Sequence, residues 1–210
     1  MLSRGNFPLN PNSGQTPLAK FMGSQPWRDF PTELGGAPVA ISAIRALVLT
    51  GARKSEILGL RWSNIDFENS GLHLPDSKTG RKTIPLAVAA LELFKGLLRG
   101  ESPHVFPATK GEGHYVGLPK AWAKLKKQAG LDDVTIHTLR HSFASIAVAG
   151  GDSFILVGKV LGHVQTRTIE KYAHMDLKPL KAVADRAADT IAAAMQGGGG
   201  EVVSLPKQKA

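Results

Sequence analysis

Apolar residues recur at intervals of three and four residues through most of the chain after Ala37, and this spacing constrains the fold most strongly. Ile41, Ile44 and Val48 follow it, which predicts an amphipathic helix ending near Gly51. Ser55 can cap a second, short helix. Similar spacing, with glycine stops, predicts helices near residues 91–98, 120–127, 137–149, 153–161, 168–173 and 180–191. The helix that carries Leu91 is expected to continue to about Gly100.

One stretch has a different pattern, typical of two short strands. Residues 72–74 and 83–86 are rich in branched apolar side chains, and Asp76-Ser77-Lys78-Thr79-Gly80 between them has the composition of a turn. This predicts a β-hairpin. The expected fold class is therefore mainly α with a small antiparallel β-sheet (α+β).

The prediction for domain organisation is one ordered domain with two irregular ends. Residues 1–36 are rich in proline and glycine without a sustained period, which indicates an irregular N-terminal arm. Residues 37–196 form the domain, and residues 197–210 form a C-terminal tail behind a run of glycines. A chain of 210 residues has room for this one domain.

Composition indicates the cellular compartment of the chain and the kind of partner that it binds. It contains no cysteine, which excludes disulfides and cysteine zinc sites and fits a reducing cytoplasm. Met1 to Asn10 lacks the apolar core of a signal peptide, and no apolar run reaches membrane-spanning length, so a cytoplasmic protein is expected. A formal charge of +9 favours a polyanionic partner, most simply nucleic acid.

Five side chains spread along the domain have the chemistry that phosphodiester cleavage requires without a metal. They are two arginines, two histidines and a tyrosine: Arg53, His137, Arg140, His163 and Tyr172. Guanidinium groups bind phosphate oxygens bidentately, and imidazoles move protons or donate hydrogen bonds. A tyrosine of pKa about 10 is roughly one part in a thousand phenolate at pH 7, a deficit of about 4 kcal/mol that neighbouring cations would lower.

These residues lie in the local sequences Thr-Gly-Ala-Arg-Lys-Ser-Glu, His-Thr-Leu-Arg and Leu-Gly-His, and a tyrosine follows nine residues after the last histidine. Together these features resemble the tyrosine recombinase (phage integrase) family. The resemblance covers residues 40–196 and implies the catalytic-domain architecture of that family. It assigns Arg53 and Arg140 as the two phosphate-binding arginines, His137 as the His-x-x-Arg histidine, and His163 as the second imidazole. Lys78 matches the mobile lysine that protonates the 5′-oxygen, and Tyr172 matches the nucleophile. Glu56 matches a buried carboxylate that braces the site.

The resemblance also implies a function and partners. Such enzymes exchange strands of double-stranded DNA through a 3′-phosphotyrosyl link, without a metal, ATP or other cofactor. A homo-oligomer, a tetrameric synapse joined through the C-terminal tail, is expected on DNA, with accessory DNA-bending proteins as further partners. The family's usual helical core-binding domain has no counterpart in residues 1–36. A non-catalytic DNA-binding remnant therefore stays open as an alternative, as does strand relaxation of the type IB topoisomerase kind.

Simpler interpretations exist for single residues. Arg53 could be a surface charge, Glu56 only its partner across one helical turn, and Tyr172 a core aromatic. His137 and His141, four residues apart, could suggest zinc, but Thr138 stands where a glutamate base is needed and Arg140 would repel a cation. His141 is expected instead to be a hydrogen-bonded core residue. Four basic residues of one predicted helix could contact DNA phosphates or form a solvated face: Lys120, Lys124, Lys126 and Lys127.

Overall fold

A computed structural model of the chain describes residues 37–77, 80–131, 134–162 and 177–195. In this part of the chain, helices pack around a core beside one small sheet. The helices are α1 (Ala37–Thr50), α2 (Lys54–Leu58), α3 (Val88–Lys95), α4 (Leu118–Gln128), α5 (Ile136–Ala149), α6 (Phe154–Val160) and α7 (Leu177–Met195). The strands are β1 (Ile65–Asp66), β2 (Gly71–Ser77) and β3 (Gly80–Pro85), and a 3₁₀ turn spans Trp62–Asn64. The predicted fold class is confirmed.

Helices α1 and α7 form the centre of the domain. The inward face of α1 is buried, with Ala40 and Ala43 completely covered, and α7 packs against α1, α3, α5 and α6. The buried face of α7 combines Val183 and Ile191 with Ala184, Ala187 and Ala188, and the small size of the alanines lets neighbouring helices approach closely. The apolar spacing in the sequence therefore marks the faces that meet in this core.

The sheet is antiparallel, in the order β1-β2-β3. Leu72 of β2 lies opposite Ile84 of β3, both fully buried, while His73 lies opposite Thr83 on the exposed face. The predicted hairpin is confirmed. Strand β1 was not predicted, because two residues are too short to show an alternating pattern.

Two predicted helix ends are wrong. Helix α2 begins at Lys54 with Arg53 as its N-cap residue, so Ser55 lies inside the helix and does not cap it. Helix α3 ends at Lys95 with Gly96 as its C-cap residue, because the next amide, that of Leu97, bonds to the Phe94 carbonyl three residues back and leaves the α-helical pattern. Leu98, expected on its apolar face, is 98% exposed.

Other expectations lie outside the described residues: the arm, the tail segment, and a helix near residues 168–173. Within the described ranges, no helix combines the length and apolar character needed to cross a bilayer.

Candidate active site

An open cavity of about 430 Å³ lies where the start of α2 meets α4 and α5. Three of the sequence-predicted site residues line it together: Arg53 from the start of α2, and His137 and Arg140 from α5. The rest of the lining consists of Ala52, Lys54, Pro119, Trp122, Lys126, Val134, Thr135 and Ile136. The fold therefore brings residues that are almost ninety positions apart in the sequence to one cavity lined by basic side chains.

Arg140 is buried, with 6% of its surface exposed, and bridges two main-chain segments. Its Nη1 donates to the Gly51 carbonyl at 2.7 Å, and its Nη2 donates to the Leu161 carbonyl at 2.8 Å. Burial and, secondarily, repulsion from Arg53 lower its pKa to about 10. The guanidinium therefore remains charged at neutral pH, with donors left over for an anion.

Gly51 makes this bridge possible. Its φ of 62° lies in the left-handed region, and an added Cβ would lie 2.6 Å from Leu161 Cδ2 and 2.9 Å from the Phe143 ring. Both the backbone turn and the space require glycine. The glycine in the Thr-Gly-Ala-Arg sequence thus serves to place the carbonyl that Arg140 holds.

Arg53 is held by Glu56, one turn further along. The Arg53 amide donates to Glu56 Oε2 at 2.8 Å, and Arg53 Nη1 donates to Oε1 at 2.9 Å. The Glu56 side chain is 6% exposed and that of Arg53 is 25% exposed. Glu56 is therefore both the partner of Arg53 across the first turn and a buried brace beneath it.

Sequence reasoning missed a third member of this cluster, Lys82. Its Nζ lies 2.7 Å from Glu56 Oε1, an ion pair rather than a directed hydrogen bond, and its side chain is 9% exposed. The sequence does contain a signal for the burial of Lys82. Side chains alternate between faces along a strand, so Lys82 shares the inward face of the buried Ile84.

The charges of this cluster influence one another. Burial alone raises the pKa of Glu56, but the pairing with Lys82 and the hydrogen bonds from Arg53 outweigh it and leave that pKa lowered. Burial lowers the pKa of Lys82, the pairing with Glu56 opposes this, and Arg53 and Arg140 lower it further. One carboxylate thus pairs with two basic groups, and it also raises the pKa of a third, Arg140.

His137 lies in the first turn of α5, next to a capping box. The Thr135 hydroxyl accepts from the Thr138 amide at 3.2 Å, and the Thr138 hydroxyl accepts from the Thr135 amide at 3.1 Å. Burial, then the charges of His141, Arg140 and Arg53, lower the pKa of His137 below its usual 6.5. The ring is therefore neutral at pH 7 and able to exchange a proton.

His141 does not have its predicted environment. It is exposed, and its ring meets that of His137 edge-on at a centroid distance of 4.6 Å. The prediction of a hydrogen-bonded core residue is wrong, because α5 turns its apolar face, with Leu139 and Phe143, the other way. Among the described residues, no group of three His, Cys, Asp or Glu could hold a metal ion.

Helix α4 brings further positive charge to the cavity. Trp122 is buried and anchors the helix, its indole Nε1 donating to the Val134 carbonyl at 3.1 Å. Lys126 lines the cavity, and Lys120, Lys124 and Lys127 are exposed along a neighbouring stripe of the helix.

Three predicted site residues, Lys78, His163 and Tyr172, lie outside the described residues. Lys78 falls between β2 and β3, and His163 directly follows the described turn at Gly162. Their roles, like those of the residues around the cavity, stay predictions.

The chain is similar in sequence and in fold to known proteins. Residues 39–178 match the model of a family described as the phage integrase family. The chain is 31% identical over 151 residues to the prophage integrase IntF of Escherichia coli K12, covering 68% of this chain and 32% of that protein. It is 34% identical over 146 residues to the tyrosine recombinase XerA of Pyrococcus furiosus, covering 66% of this chain and 51% of that one.

The fold is similar to that of a XerH site-specific recombinase whose crystal structure was determined bound to its difH substrate. The TM-score is 0.59 at 23% identity, covering 75% of this chain and 48% of that one. The two proteins thus share a fold. The chain belongs to the phage integrase family, the family of the tyrosine recombinases. It spans about half the length, or less, of the curated relatives named above.

Proposed function

We propose that this protein is a site-specific DNA recombinase of the integrase type, which cleaves and rejoins strands through a 3′-phosphotyrosyl intermediate. The observation that carries the proposal is the meeting of Arg53, His137 and Arg140 around one cavity. Phosphoryl transfer depends mainly on positioning the phosphate and neutralising its oxygens. Two guanidinium groups, one of them fixed by main-chain carbonyls, meet both needs.

In the proposed reaction, the Tyr172 oxygen attacks the scissile phosphorus and the bond to the 5′-oxygen breaks. Lys78 gives that leaving oxygen its proton, and His163 donates a hydrogen bond to the phosphate. His137, neutral at pH 7, accepts the tyrosine proton or donates to a phosphate oxygen. Glu56 supports Arg53 without reacting. Attack by a partner strand's 5′-hydroxyl reverses the step and conserves the bond energy, so neither ATP nor a metal enters this scheme.

The proposed partner is double-stranded DNA. The exposed lysines of α4 lie beside the cavity and suit contacts to backbone phosphates, which position a duplex without reading its sequence. We further propose a tetrameric synapse on DNA joined through the C-terminal tail, assisted by DNA-bending proteins. Action on chromosomal or prophage DNA would place the protein in the cytoplasm.

Covalent trapping in cells tests the chemistry. Wild type and Tyr172→Phe would be recovered under denaturing conditions, and any attached DNA would be sequenced. We expect DNA on wild type alone, with nearly equal DNA affinity for both proteins, because the substitution removes only the nucleophilic oxygen. The absence of attached DNA on folded wild type would favour a non-catalytic DNA-binding protein. Supercoil relaxation without a defined product junction would instead indicate topoisomerase-like activity.

A further inference from the structure

The Lys82 ammonium lies inside the charged cluster beneath the cavity but does not line the cavity itself. Its ion pair with Glu56 uses the same Oε1 atom that accepts from Arg53. A buried lysine is costly unless it is paired, so its placement requires a reason. Two features of its surroundings supply one.

The first feature is the sharing of Glu56. A carboxylate paired with one arginine alone can draw that guanidinium into a two-pronged pair. Here Oε2 is occupied by the Arg53 amide, and Oε1 is shared with Lys82, so only Nη1 of the Arg53 guanidinium contacts the carboxylate. The other N–H donors of Arg53 remain available to the cavity.

The second feature is the turn after α6. Gly162 has a φ of 68°, and a Cβ on it would lie 2.7 Å from Lys82 Cδ and 3.0 Å from Lys82 Nζ. The Lys82 side chain therefore lies directly against the backbone of this turn. The preceding carbonyl, that of Leu161, accepts from Arg140, and the next residue along the chain is His163.

We infer that Lys82 is a positioning residue for DNA cleavage: it holds Glu56 so that Arg53 faces the phosphate, and it supports the turn at Gly162 that fixes Arg140. This inference rests on the proposed strand-cleavage function. Among the described residues, Lys82 is not part of the cavity lining, and we expect it to act through its neighbours. Its role differs from that of Lys78, the proposed proton donor.

The test compares Lys82→Met, which keeps the aliphatic length and removes the charge, with Lys82→Arg and with Arg81→Met. Arg81 is the matched control, since it is the adjacent residue of β3 and is exposed. Single-turnover formation of the covalent adduct would be measured on the DNA site identified by trapping, together with DNA affinity, over a range of pH.

For Lys82→Met we expect cleavage to slow by about 10- to 100-fold, the loss typical of small misplacement of a catalytic group. DNA affinity should change by less than about threefold, because the phosphate-contacting residues remain. Arg81→Met should cleave like wild type, and Lys82→Arg should recover most of the rate. Equal rates for Lys82→Met and Arg81→Met would overturn the proposal.

The pH profile separates positioning from general damage to the fold. Removing the cation beside Glu56 raises the pKa of that carboxyl, so cleavage by Lys82→Met should be lost at a higher pH on the acid side than in wild type. A slower rate with an unchanged acid limb would contradict the role through Glu56.

A double variant covers the case in which Lys82→Met does not fold. Lys82→Met/Glu56→Gln leaves no unpaired buried carboxylate and should therefore fold more readily. If Lys82 acts mainly through Glu56, the double variant should cleave within about threefold of Glu56→Gln alone, since coupled residues are not additive. Independent, multiplying losses would count against the proposal.

Different experimental results would overturn the proposed function and the inferred role of Lys82. If folded wild type forms no adduct, strand cleavage is overturned, and Lys82 is judged by titrating the same proteins with inorganic phosphate, followed by ³¹P NMR. Weaker phosphate binding by Lys82→Met than by Arg81→Met would support the positioning of Arg53. Equal binding would overturn it.

Discussion

At the scale of the residue, Arg140 shows how one side chain serves both fold and site. Its burial would be unfavourable without partners, and two main-chain carbonyls from distant segments provide them. Those two bonds join the end of α1 to the end of α6. The same guanidinium lines the cavity, so structural and chemical demands meet in one group.

Arg140→Lys should therefore lower stability as well as cleavage. One ammonium cannot reproduce the fork that spans the Gly51 and Leu161 carbonyls, and a buried acceptor left unpaired costs about 1–3 kcal/mol. The free energy of unfolding in urea, followed by circular dichroism, measures this loss. Arg81→Lys on the exposed strand face is the control and should change it by less than about 0.5 kcal/mol. An equally small change for Arg140→Lys would show that the two carbonyl bonds do not stabilise the fold.

Sequence patterns located part of this residue-level arrangement. Arg53, Glu56, His137 and Arg140 stand in short, distinctive sequences, and the fold places them around and beneath one cavity. Lys82 escaped notice because a lysine in a hairpin strand is usually solvated. Its burial depends on the distant Glu56 and Gly162, which are neighbours only in the folded chain.

At the scale of the element, α5 is the helix that presents His137 and Arg140 one turn apart to the cavity. Its register relative to α2 depends on where the helix begins. The capping box of Thr135 and Thr138 satisfies the first free amides and so defines that beginning. Thr135 and Thr138, which take no part in the proposed reaction, thus set the orientation of His137 and Arg140, which do.

Thr135→Ala should destabilise the protein by about 1 kcal/mol, because the capping hydroxyl is lost. Thermal unfolding provides the measurement, and Ser145→Ala, at an exposed position of the same helix, provides the comparison. We expect a lower Tm for the Thr135 variant only. Equal melting temperatures for the two variants would mean that the cap does not stabilise α5.

Helix existence was more predictable than helix ends. Apolar spacing identified α1, α5 and α7 because their buried faces repeat over several turns. The end of α3 was misjudged because Leu97 and Leu98 continue the apolar pattern after Gly96 has stopped the helix. Apolar character is visible in the sequence, whereas the direction taken by the chain after a stop depends on tertiary packing.

At the scale of the whole molecule, positive charge is concentrated where the proposed substrate would bind. The formal charge is +9, and the cavity is bordered by Arg53, Arg140 and Lys126, with the exposed lysines of α4 alongside. Phosphate contacts release counterions from DNA, so binding of this kind weakens steeply with salt.

Log affinity for duplex DNA should fall linearly with log salt concentration, and Lys124→Gln should reduce the slope by about 0.9, the value for one lost phosphate contact. Fluorescence anisotropy at several salt concentrations measures both slopes. Lys95→Gln is the control, because Lys95 belongs to α3 and pairs with Glu92. Identical slopes for the two variants would indicate that the α4 lysines are only a solvated face.

The main-chain anchoring of Arg140 has a consequence for changing what this protein recognises. Because carbonyls of Gly51 and Leu161 set the plane of the guanidinium, its orientation depends on backbone course rather than on the identity of nearby side chains. Exposed side chains around the cavity can therefore be exchanged without turning the arginine. In a protein evolved toward a new target sequence, the region that meets DNA and the group that holds the phosphate would be separable, and retargeting would not require rebuilding the reaction centre.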